Sequence, residues 1–488
     1  MQKILFTHSY FLCLDPKQHA LGQPYAPLGT IYAAALMRSH GFEVSLFDTM
    51  FAQAADEITG ALEEHTPDLL VVYDDGFNYL TKMCLTNMRE AAMQMIGLAK
   101  RCGINVIMCS SDATDHAEKY LAAGADFVLP GEGELSLLEL VQSIQAGNND
   151  HSHIQGLIYQ GEEQIITTQR RAVLKQLDEL PLPAWDLVDL AKYKASWLQH
   201  AGYFSVNIAT TRGCPYKCNW CAKPIYGNRY NSRSPQNVVA ELQLLQSMQS
   251  FEHVWFCDDI FGLKPGWVHE FAVLLEKENI SIKFKIQSRA DLLLQENYVA
   301  SLAKAGCDNA WMGAESGSQK ILDAMDKGIT VEQVYQATRR LKEYHIKPSF
   351  FIQFGYLGEE KEDIAQTIKM INELLPHEIG ISVSYPLPGT VFYEKVKNAM
   401  KEKKNWSDSH ELALMFEATY QPSYYKQLHR YVHKSYRRHL ALQNLSMLLR
   451  QPFKADGAML KKAVSLLYYI PASLLERRKL NSLEKLSV

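Results

Sequence analysis

Midway along the chain stands Thr211-Arg212-Gly213-Cys214-Pro215-Tyr216-Lys217-Cys218-Asn219-Trp220-Cys221, a short loop with three cysteines at the spacing C-x3-C-x2-C. Three ligands are too few to close a structural zinc site, which takes four. They can hold three irons of a cubane iron–sulfur cluster and leave the fourth iron open for a substrate or cosubstrate. The spacing leaves two alternatives, a zinc knuckle completed by a distant His and a set of unrelated buried cysteines.

With its flanks, this stretch resembles the radical SAM family. The resemblance implies that Cys214, Cys218 and Cys221 hold a 4Fe–4S cluster whose open iron binds the amino and carboxylate groups of S-adenosylmethionine (SAM). It also implies that an electron from the cluster cleaves SAM to methionine and a 5′-deoxyadenosyl radical. Trp220 stands at the family position that packs beside the adenine.

The region from Phe204 to about Asn398 alternates strand and helix six times. This pattern predicts a partial (βα)6 barrel of the TIM type, whose site should lie at the carboxyl ends of the strands. The three cysteines directly follow the first strand, as that rule requires. The predicted strands are Phe204–Ala209, His253–Cys257, Lys283–Gln287, Asn309–Gly313, Ser349–Phe354 and Gly380–Ser384.

Polar side chains also follow four of the other predicted strands. They are Asp258 and Asp259, Gln287 and Arg289, Glu315 and Ser316, and Gln353. Helix capping explains any one of these groups equally well, since Asp and Ser are favoured at helix starts. Because all of them fall on the same rim, we expect a binding site there.

The family resemblance extends to this rim. Gly313-Ala314-Glu315-Ser316-Gly317-Ser318 resembles G-x-E-S-G-S, whose Glu contacts SAM, and Tyr385-Pro386-Leu387-Pro388-Gly389-Thr390 resembles the turn after the sixth strand. Gly355-Tyr356-Leu357-Gly358-Glu359 departs from the usual L-P-G-E by replacing Pro with Leu, which leaves the rigidity of that loop open. The resemblance places Asp258 and Asp259 at the methionyl amino group, and Gln287 and Arg289 at the ribose and carboxylate.

Residues 1–145 alternate short β-rich runs with amphipathic stretches, which predicts a parallel sheet covered on both faces. Ligands of such sheets bind in the loops beyond the carboxyl ends of the strands. No G-x-G-x-x-G motif follows the first strand, so the sequence gives no specific indication that this region binds a dinucleotide. The candidate ligand-binding residues in these loops are Asp48, Asp75, Ser110, Gly131, Glu132 and Gly133.

This region resembles the cobalamin-binding domain that is fused to some radical SAM enzymes, a doubly wound, Rossmann-like (flavodoxin-like) domain. The resemblance rests on residues 27–34, on Gly41-Phe42-Glu43-Val44 followed by Asp48, and on Gly124-Ala125-Asp126 running into residues 131–134. The D-x-H-x-x-G motif that ligates cobalt in many cobalamin proteins is not matched, because His19 stands two residues too far from Asp15. Cobalamin therefore remains the implied cofactor, without a predicted protein ligand to cobalt.

The pattern divides the chain into four parts: residues 1–145, a connector at 146–200 with a small hairpin and a proline-stiffened link, the barrel at 201–400, and a helical region at 401–488. From Tyr420 onward thirteen Lys or Arg stand against three Asp or Glu. Solvated basic helices explain this excess, as do contact with an acidic membrane surface and a contribution to the substrate pocket.

Composition describes an ordinary globular protein without a transmembrane run or a signal peptide, which predicts a cytoplasmic location. No stretch interleaves basic and aromatic residues densely enough to predict nucleic-acid binding. The resemblance implies an external electron donor, such as flavodoxin or ferredoxin, and a small-molecule substrate that the sequence does not identify.

We expect a cobalamin-dependent radical SAM enzyme that methylates an unactivated carbon. The alternatives are oxidative ring closure or rearrangement, as in the anaerobic magnesium-protoporphyrin monomethyl ester cyclase that the chain also resembles, and a non-catalytic cobalamin or redox sensor.

Overall fold

Two parallel sheets organise the computed structural model, which describes residues 2–83, 85–223, 225–450 and 457–484. The first sheet has the strand order β2-β1-β3-β4-β5-β6-β7, in which β1 to β5 are parallel. Its parallel strands are β1 (Lys3–Thr7), β2 (Glu43–Phe47), β3 (Leu69–Tyr73), β4 (Asn105–Cys109) and β5 (Phe127–Val128). The helices between and after these strands are α1 (Pro16–Leu21), α2 (Leu28–Ser39), α3 (Ile58–His65), α4 (Tyr79–Lys82), α5 (Thr86–Arg101), α6 (Ser111–Asp115), α7 (Ala117–Ala122) and α8 (Glu134–Gln145).

Helices cover both faces of this sheet, because successive strand side chains point to opposite sides. Ile4 and Phe6 of β1 pack in one core with α2 and α8, whereas Leu5 packs in another with α3 and α5. The predicted parallel sheet with two covered faces is therefore present. The strand order reverses between β1 and β3, which is where a sheet of this kind forms its ligand crevice.

The connector ties the two sheets together. Its predicted hairpin is present as β6 (Ile158–Gln160) and β7 (Ile165–Thr167), and it extends the first sheet with antiparallel strands. The proline-stiffened link then carries the fully buried Trp185, whose indole N–H donates to Glu241 of the barrel at 2.9 Å. Helix α9 (Leu190–Ala201) follows. The boundaries at 145, 200 and 400 stay predictions.

The second sheet consists of six parallel strands in chain order, as the sequence predicts, and forms a curled half-barrel. The strands are β8 (Ser205–Ile208), β11 (His253–Phe256), β12 (Lys283–Ser288), β13 (Cys307–Glu315), β14 (Lys347–Phe354) and β15 (Glu378–Val383). A two-residue antiparallel ladder, β9 (Thr211–Arg212) with β10 (Asn231–Ser232), stands beside β8. The helices are α10 (Pro235–Met248), α11 (Trp267–Lys277), α12 (Ala290–Leu293), α13 (Tyr298–Ala305), α14 (Gln319–Ala324), α15 (Val331–Glu343), α16 (Lys361–Leu374) and α17 (Val391–Val396).

Three helices end the described chain: α18 (Pro422–Arg450), α19 (Gly457–Val464) and α20 (Leu466–Glu484). Lys461–Glu476 reads in the sequence as an amphipathic stretch interrupted at Pro471, but α20 continues through Pro471 and the chain turns at Ser465 instead. An interior proline removes one helical hydrogen bond and crowds the carbonyl four residues earlier, and the packing of α20 along α18 supports the helix on both sides of it. None of the described helices is long and apolar enough to cross a membrane.

Candidate functional site

The three predicted cluster cysteines lie in one loop that begins directly after β9. The β9–β10 ladder closes the base of this cysteine loop, which spans residues 213–230 and of which Pro224 lies outside the described residues. Gly213 has φ +81°, and a Cβ there would collide with the carbonyl of Arg229, so the turn into the loop requires glycine. Cys214 is buried, whereas Cys218 and Cys221 are partly exposed.

Asn219, between the second and third cysteines, anchors this loop to the barrel. Its backbone N–H donates to Met325 O at 3.1 Å, and its side-chain amide donates to Ala324 O at 2.8 Å. Its side-chain oxygen accepts from the hydroxyl of Tyr356 at 2.6 Å. The positions of the neighbouring cysteines are therefore set by buried hydrogen bonds rather than by the loop alone.

Burial raises the pKa of Cys214, and it raises that of Cys221 to about 12, with a further contribution from the nearby Asp259 carboxylate. Thiols with such pKa values bind metal only by giving up a proton that the metal displaces. Two cations lie at Cys218: a guanidinium nitrogen of Arg289 stands 3.9 Å from its sulfur, and the thiol helps to raise the pKa of Lys327 against the effect of burial. The loop can therefore accommodate negative charge.

Glu315, at the end of β13, forms a buried ion pair with Lys327 at 2.7 Å. Gly313 makes room for this pair, because a Cβ there would stand 2.6 Å from the Lys327 nitrogen and 2.7 Å from a Glu315 oxygen. Lys327 also lies 6.0 Å from the centre of the Trp220 ring, whose buried indole N–H has no hydrogen-bond partner among the described residues. An unsatisfied buried donor beside a charged pair marks a place for a polar ligand.

Arg289, after β12, is fixed from several sides. It pairs with Asp291 at 3.0 Å, donates to Lys327 O at 2.9 Å, and stacks 3.7 Å from the centre of the Tyr216 ring. Gln287, on β12, is partly exposed on the same rim. Asp259 pairs with Lys82 of α4 at 2.8 Å, so a helix of the first sheet's region contacts the rim.

The other predicted rim residues brace the scaffold. Both oxygens of Asp258 accept hydrogen bonds, from the backbone and hydroxyl groups of Thr210 and Thr211 at 2.6–2.9 Å, and burial raises the Asp258 pKa to about 6. Ser316 lies 3.0 Å from the Thr367 hydroxyl of α16. The Gln353 amide donates to Ser384 at 2.9 Å. Contact of these three residues with a cofactor stays a prediction.

At the carboxyl edge of the first sheet, the predicted residues are likewise bonded within the chain. Asp48 accepts from the Tyr193 hydroxyl at 2.7 Å and lies 2.9 Å from the buried His8 ring. Burial would raise the Asp48 pKa, but these hydrogen bonds hold it below its usual value. Asp75 accepts the backbone N–H of Gly29 and of Phe77 at 3.1 and 3.0 Å, and burial raises its pKa.

The remaining predicted residues of this edge follow β4 and β5. The Ser110 hydroxyl caps the short helix α6 by accepting the Ala113 N–H at 2.9 Å. The Gly131 N–H donates to the Thr114 hydroxyl at 3.0 Å, and the Gly133 N–H to the Tyr73 hydroxyl at 3.3 Å.

Arg212 joins the two carboxyl edges. It is the residue before the cysteine loop, and its buried guanidinium pairs with Glu132 and, at 2.8 Å, with Glu134 of the first sheet's last loop. The rings of Tyr32, Phe77 and Tyr226 surround it, with centres 5.4–5.7 Å away. The cysteine loop is thus attached directly to the loop that the sequence predicted to bind cobalamin.

Comparison with known proteins assigns the half-barrel to a protein superfamily. Residues 208–371, from the first half-barrel strand through most of α16, match the Radical SAM superfamily. The half-barrel carries a radical SAM domain.

The similarity to proteins of related sequence extends beyond this radical SAM domain. The chain is 27% identical over 408 residues to an uncharacterised methyltransferase of Pyrococcus horikoshii, which covers 81% of this chain and 84% of the relative. It is 24% identical over 427 residues to the anaerobic magnesium-protoporphyrin IX monomethyl ester cyclase of Synechocystis sp., covering 84% and 82%. A solved structure of the radical S-adenosylmethionine methyltransferase TsrM of Kitasatospora setae, with cobalamin and a 4Fe–4S cluster bound, aligns with a TM-score of 0.67 at 19% identity, covering 82% of this chain and 75% of that one. The likeness to TsrM shows a common fold.

Sequence reasoning missed several functional candidates, in the radical SAM domain and in α4. Lys327, Asn219 and Lys82 have no motif of their own, and only their contacts with Glu315, the cysteine loop and Asp259 mark them. Arg212 did have a signal, since a lone Arg before the first cysteine and the paired acids of Gly131-Glu132-Gly133-Glu134 are of opposite charge.

No three His, Cys, Asp or Glu side chains in the described ranges converge on a single metal-ion position. A cubane cluster does not require such convergence, because each thiolate binds a different iron.

Proposed function

We propose that this protein is an enzyme that uses a 4Fe–4S cluster, SAM and cobalamin to methylate an unactivated carbon of a small molecule. One observation carries the proposal: the cysteine loop lies between the carboxyl edges of two sheets. Arg212 attaches its entry to Glu132. A Cβ at Gly76 would lie 3.4 Å from the Tyr226 hydroxyl, and one at Gly131 would lie 3.5 Å from the Ile225 carbonyl, so two loops of the first sheet's edge touch the cysteine loop. On the half-barrel side, Asn219 bonds the same loop to Ala324 and Met325.

The chain's residues fit the cluster. Cys214, Cys218 and Cys221 are three thiol ligands in one anchored loop, and Arg289 and Lys327 stand where they offset the charge of bound thiolates. When bound, the cluster supplies the electron that cleaves SAM, and cobalamin supplies the methyl group. The protein's part is to hold these groups in line and to exclude water.

SAM fits the rim beside Cys218. In this proposal the Glu315–Lys327 pair accepts its charged amino-acid end together with Asp259 and Arg289, Gln287 contacts the ribose, and the unsatisfied Trp220 indole lies beside the adenine. Asp258, Ser316 and Gln353 position these residues through the scaffold. Gly313 keeps the space in which the ion pair forms.

Cobalamin fits the first sheet, which in this proposal is a doubly wound, Rossmann-like domain of residues 1–145. The loops that hold Asp48, Asp75, Ser110 and residues 131–133 follow the strands around the point where the strand order reverses. His8, the buried histidine after β1, is already bonded to Asp48 and Thr49. In this proposal His8 therefore holds Asp48 and Thr49 in place at the edge and is not a ligand to cobalt.

The test uses the full-length enzyme, reconstituted anaerobically with iron, sulfide and methylcobalamin. It should form 5′-deoxyadenosine from SAM, and Cys218→Ala should abolish this product because one iron loses its ligand. Cys102→Ala, at an exposed cysteine after α5, is the matched control and should retain activity. Normal cleavage by the Cys218 variant would contradict the cluster assignment.

Oxidative ring closure is the second candidate, favoured by the similarity to the Synechocystis cyclase. SAM labelled in its methyl group separates the two reactions. A labelled product supports methylation, whereas an unlabelled, rearranged product supports ring closure. An external electron donor of the flavodoxin or ferredoxin type and a cytoplasmic location stay part of the proposal.

A further inference from the structure

The outer surface of the C-terminal helices is unusually apolar for an exposed face. Helix α20 buries Leu466, Ser473 and Leu480 on its inner side, where it packs along α18. On its outer side, Leu467 is 81% exposed. We call the apolar residues of this outer side the C-terminal face: Leu460, Val464, Leu467, Tyr468, Ile470, Pro471, Leu474 and Leu475, all of them exposed.

Their spacing places them on one side of each helix. Positions 460 and 464 are four residues apart on α19, and positions 467, 471, 474 and 475 share one side of α20, since 471 is three or four residues from each of the others. A surface groove of about 590 Å³ runs along this side, with Tyr468, Leu474 and Leu475 in its lining. Lys434 and Arg478 also line the groove.

The exposed charges of residues 457–479 at this face are positive. Lys461 and Lys462 stand at one end of it and Arg477, Arg478 and Lys479 at the other, all exposed, and Lys479 lies 3.9 Å from the Glu476 carboxylate. Residues 457–484 contain only two acids, and both have partners. Glu476 is buried and bonded to Gln427 at 2.6 Å and Lys434 at 2.7 Å, and Glu484 pairs with Lys361 at 2.7 Å.

We infer that the C-terminal face docks on the surface of an anionic lipid bilayer. Exposed apolar side chains between clusters of Lys and Arg, with no free acid among them, are the pattern of helices that lie in the membrane interface. The aromatic ring of Tyr468, with its polar hydroxyl, suits the headgroup level. A second groove of about 700 Å³, to which Lys462 belongs, is lined by three further cations, Lys342, Lys347 and Arg437, and by one acid, Glu378, so its charge is positive on balance.

A second copy of the chain fits this face poorly. A two-fold interface places the same patch on both partners, so it must be complementary to itself. Here it would set Lys461, Lys462 and the basic triplet at 477–479 against the same positive groups. An anionic bilayer instead offers negative headgroups and an apolar interior together.

The experiment measures co-sedimentation of the full-length protein with two kinds of vesicle, pure phosphatidylcholine and phosphatidylcholine with about one third phosphatidylglycerol. It needs no cofactor or substrate, so its outcome is independent of the proposed enzyme activity. We expect binding to the anionic vesicles alone, and loss of binding as salt is raised toward 1 M, where screening is complete within about 3 Å.

Two variants test the two parts of the face. Arg477→Glu with Arg478→Glu should lower the affinity at least about fivefold for each charge removed. Leu467→Ser with Leu474→Ser should lower it by removing buried apolar surface. The controls are Lys277→Glu and Val273→Ser on α11, exposed positions of the same kinds outside the face, which should bind as the parent does.

Three results would overturn the inference. The first is an absence of binding to the anionic vesicles, and the second is binding that both double variants retain. The third is a concentration-dependent doubling of mass in solution that Leu467→Ser with Leu474→Ser abolishes, since this would assign the face to a contact between copies. Unchanged far-UV circular dichroism of the variants ensures that lost binding reflects the surface.

Discussion

The carboxyl rim of the half-barrel and the carboxyl edge of the first sheet differ in where their buried polar groups find partners. On the rim, Glu315 pairs with Lys327 twelve residues away, and Asp258 is held by Thr210 and Thr211, which lie just after the neighbouring strand β8. At the edge, Asp48 is bonded by Tyr193, 145 residues on, and Glu132 by Arg212, 80 residues on. These two rim carboxylates are completed within the half-barrel region, whereas Asp48 and Glu132 of the edge are completed by parts of the chain packed against it.

The conformation of the first sheet's edge therefore depends on the docking of the two sheets against each other. A buried carboxylate is costly unless it is paired, so the conformation of the edge loops should loosen when the barrel is not in place. Four predictions test this comparison.

The largest effect is expected from Arg212→Met, which leaves Glu132 and Glu134 buried without their cation. Removing one partner of a buried ion pair lowers the free energy of unfolding by about 3–5 kcal/mol, measured as a lower urea midpoint of intrinsic fluorescence. Arg38→Met is the control, because its pair with Asp186 is exposed and contributes about 0–1 kcal/mol. Equal effects of the two changes would mean that the Arg212 pairs do not join the sheets.

On the rim, Gly313→Ala should lower the free energy of unfolding by about 1–3 kcal/mol, since the new methyl group overlaps the Glu315–Lys327 pair. It should also weaken SAM binding to the reconstituted enzyme, measured by calorimetry. Gly60→Ala, inside α3 with open space around its Cβ position, is the control and should be neutral or stabilising. Normal SAM binding by the Gly313 variant would show that the Glu315–Lys327 ion pair is not part of the SAM site.

The third prediction concerns a buried hydrogen bond inside one loop, the loop after β14, and is tested by the pH dependence of stability. Glu359 accepts the Gly355 N–H at 2.6 Å, and burial raises its pKa to about 8. Because the folded state holds this proton more tightly than the unfolded chain, the contribution of Glu359 to stability is largest below about pH 4.5 and is lost as pH rises through 8, by up to about 1.4 kcal/mol per pH unit.

Glu359→Gln removes the titrating group and should flatten that part of the stability profile, measured by thermal unfolding at several pH values. Glu362→Gln, at an exposed position in the first turn of α16, serves as the control and should keep the parent's slope. A parallel profile for the Glu359 variant would show that this carboxyl does not hold a proton in the folded protein.

The smallest effect is expected from Lys82→Met, which breaks the pair with Asp259 between the two sheets. Both partners are partly exposed, so the cost should stay below about 1 kcal/mol. Lys100→Met breaks a pair of similar exposure within the first sheet's side and should cost about the same. A much larger loss for Lys82 would mean that the sheets are joined there as strongly as at Arg212.

Sequence reasoning reached the strands with little error. The six half-barrel strands are present within one or two residues of the predicted positions, and the predicted parallel sheet of residues 1–145 is present too, because buried apolar runs separated by amphipathic helices leave few alternatives. The replacement of Pro by Leu357 left the stiffness of the loop after β14 open. The structure answers this with the hydrogen bond from Gly355 to Glu359 and positive φ at Gly355 and Gly358.

Pairing across the chain was not predictable in the same way. Asp258, Ser316 and Gln353 follow strands as a binding residue would, yet their polar atoms are bonded to Thr210, Thr367 and Ser384. Nothing in the sequence distinguishes a polar residue that faces a ligand from one that braces a loop, because this depends on which side chains from distant segments arrive beside it.

The amino-acid sequence by itself determined the spacing of the three cysteines, the alternation of strands and helices, and the excess of positive charge after residue 420, since each is a local pattern. Only the tertiary structure decided that Arg212 joins the cysteine loop to Glu132, that Lys327 neutralises Glu315, and that the C-terminal helices turn an apolar, basic face outward. The physical reason is that burial and charge pairing are set by neighbours in space, and those neighbours come from segments that the sequence keeps far apart.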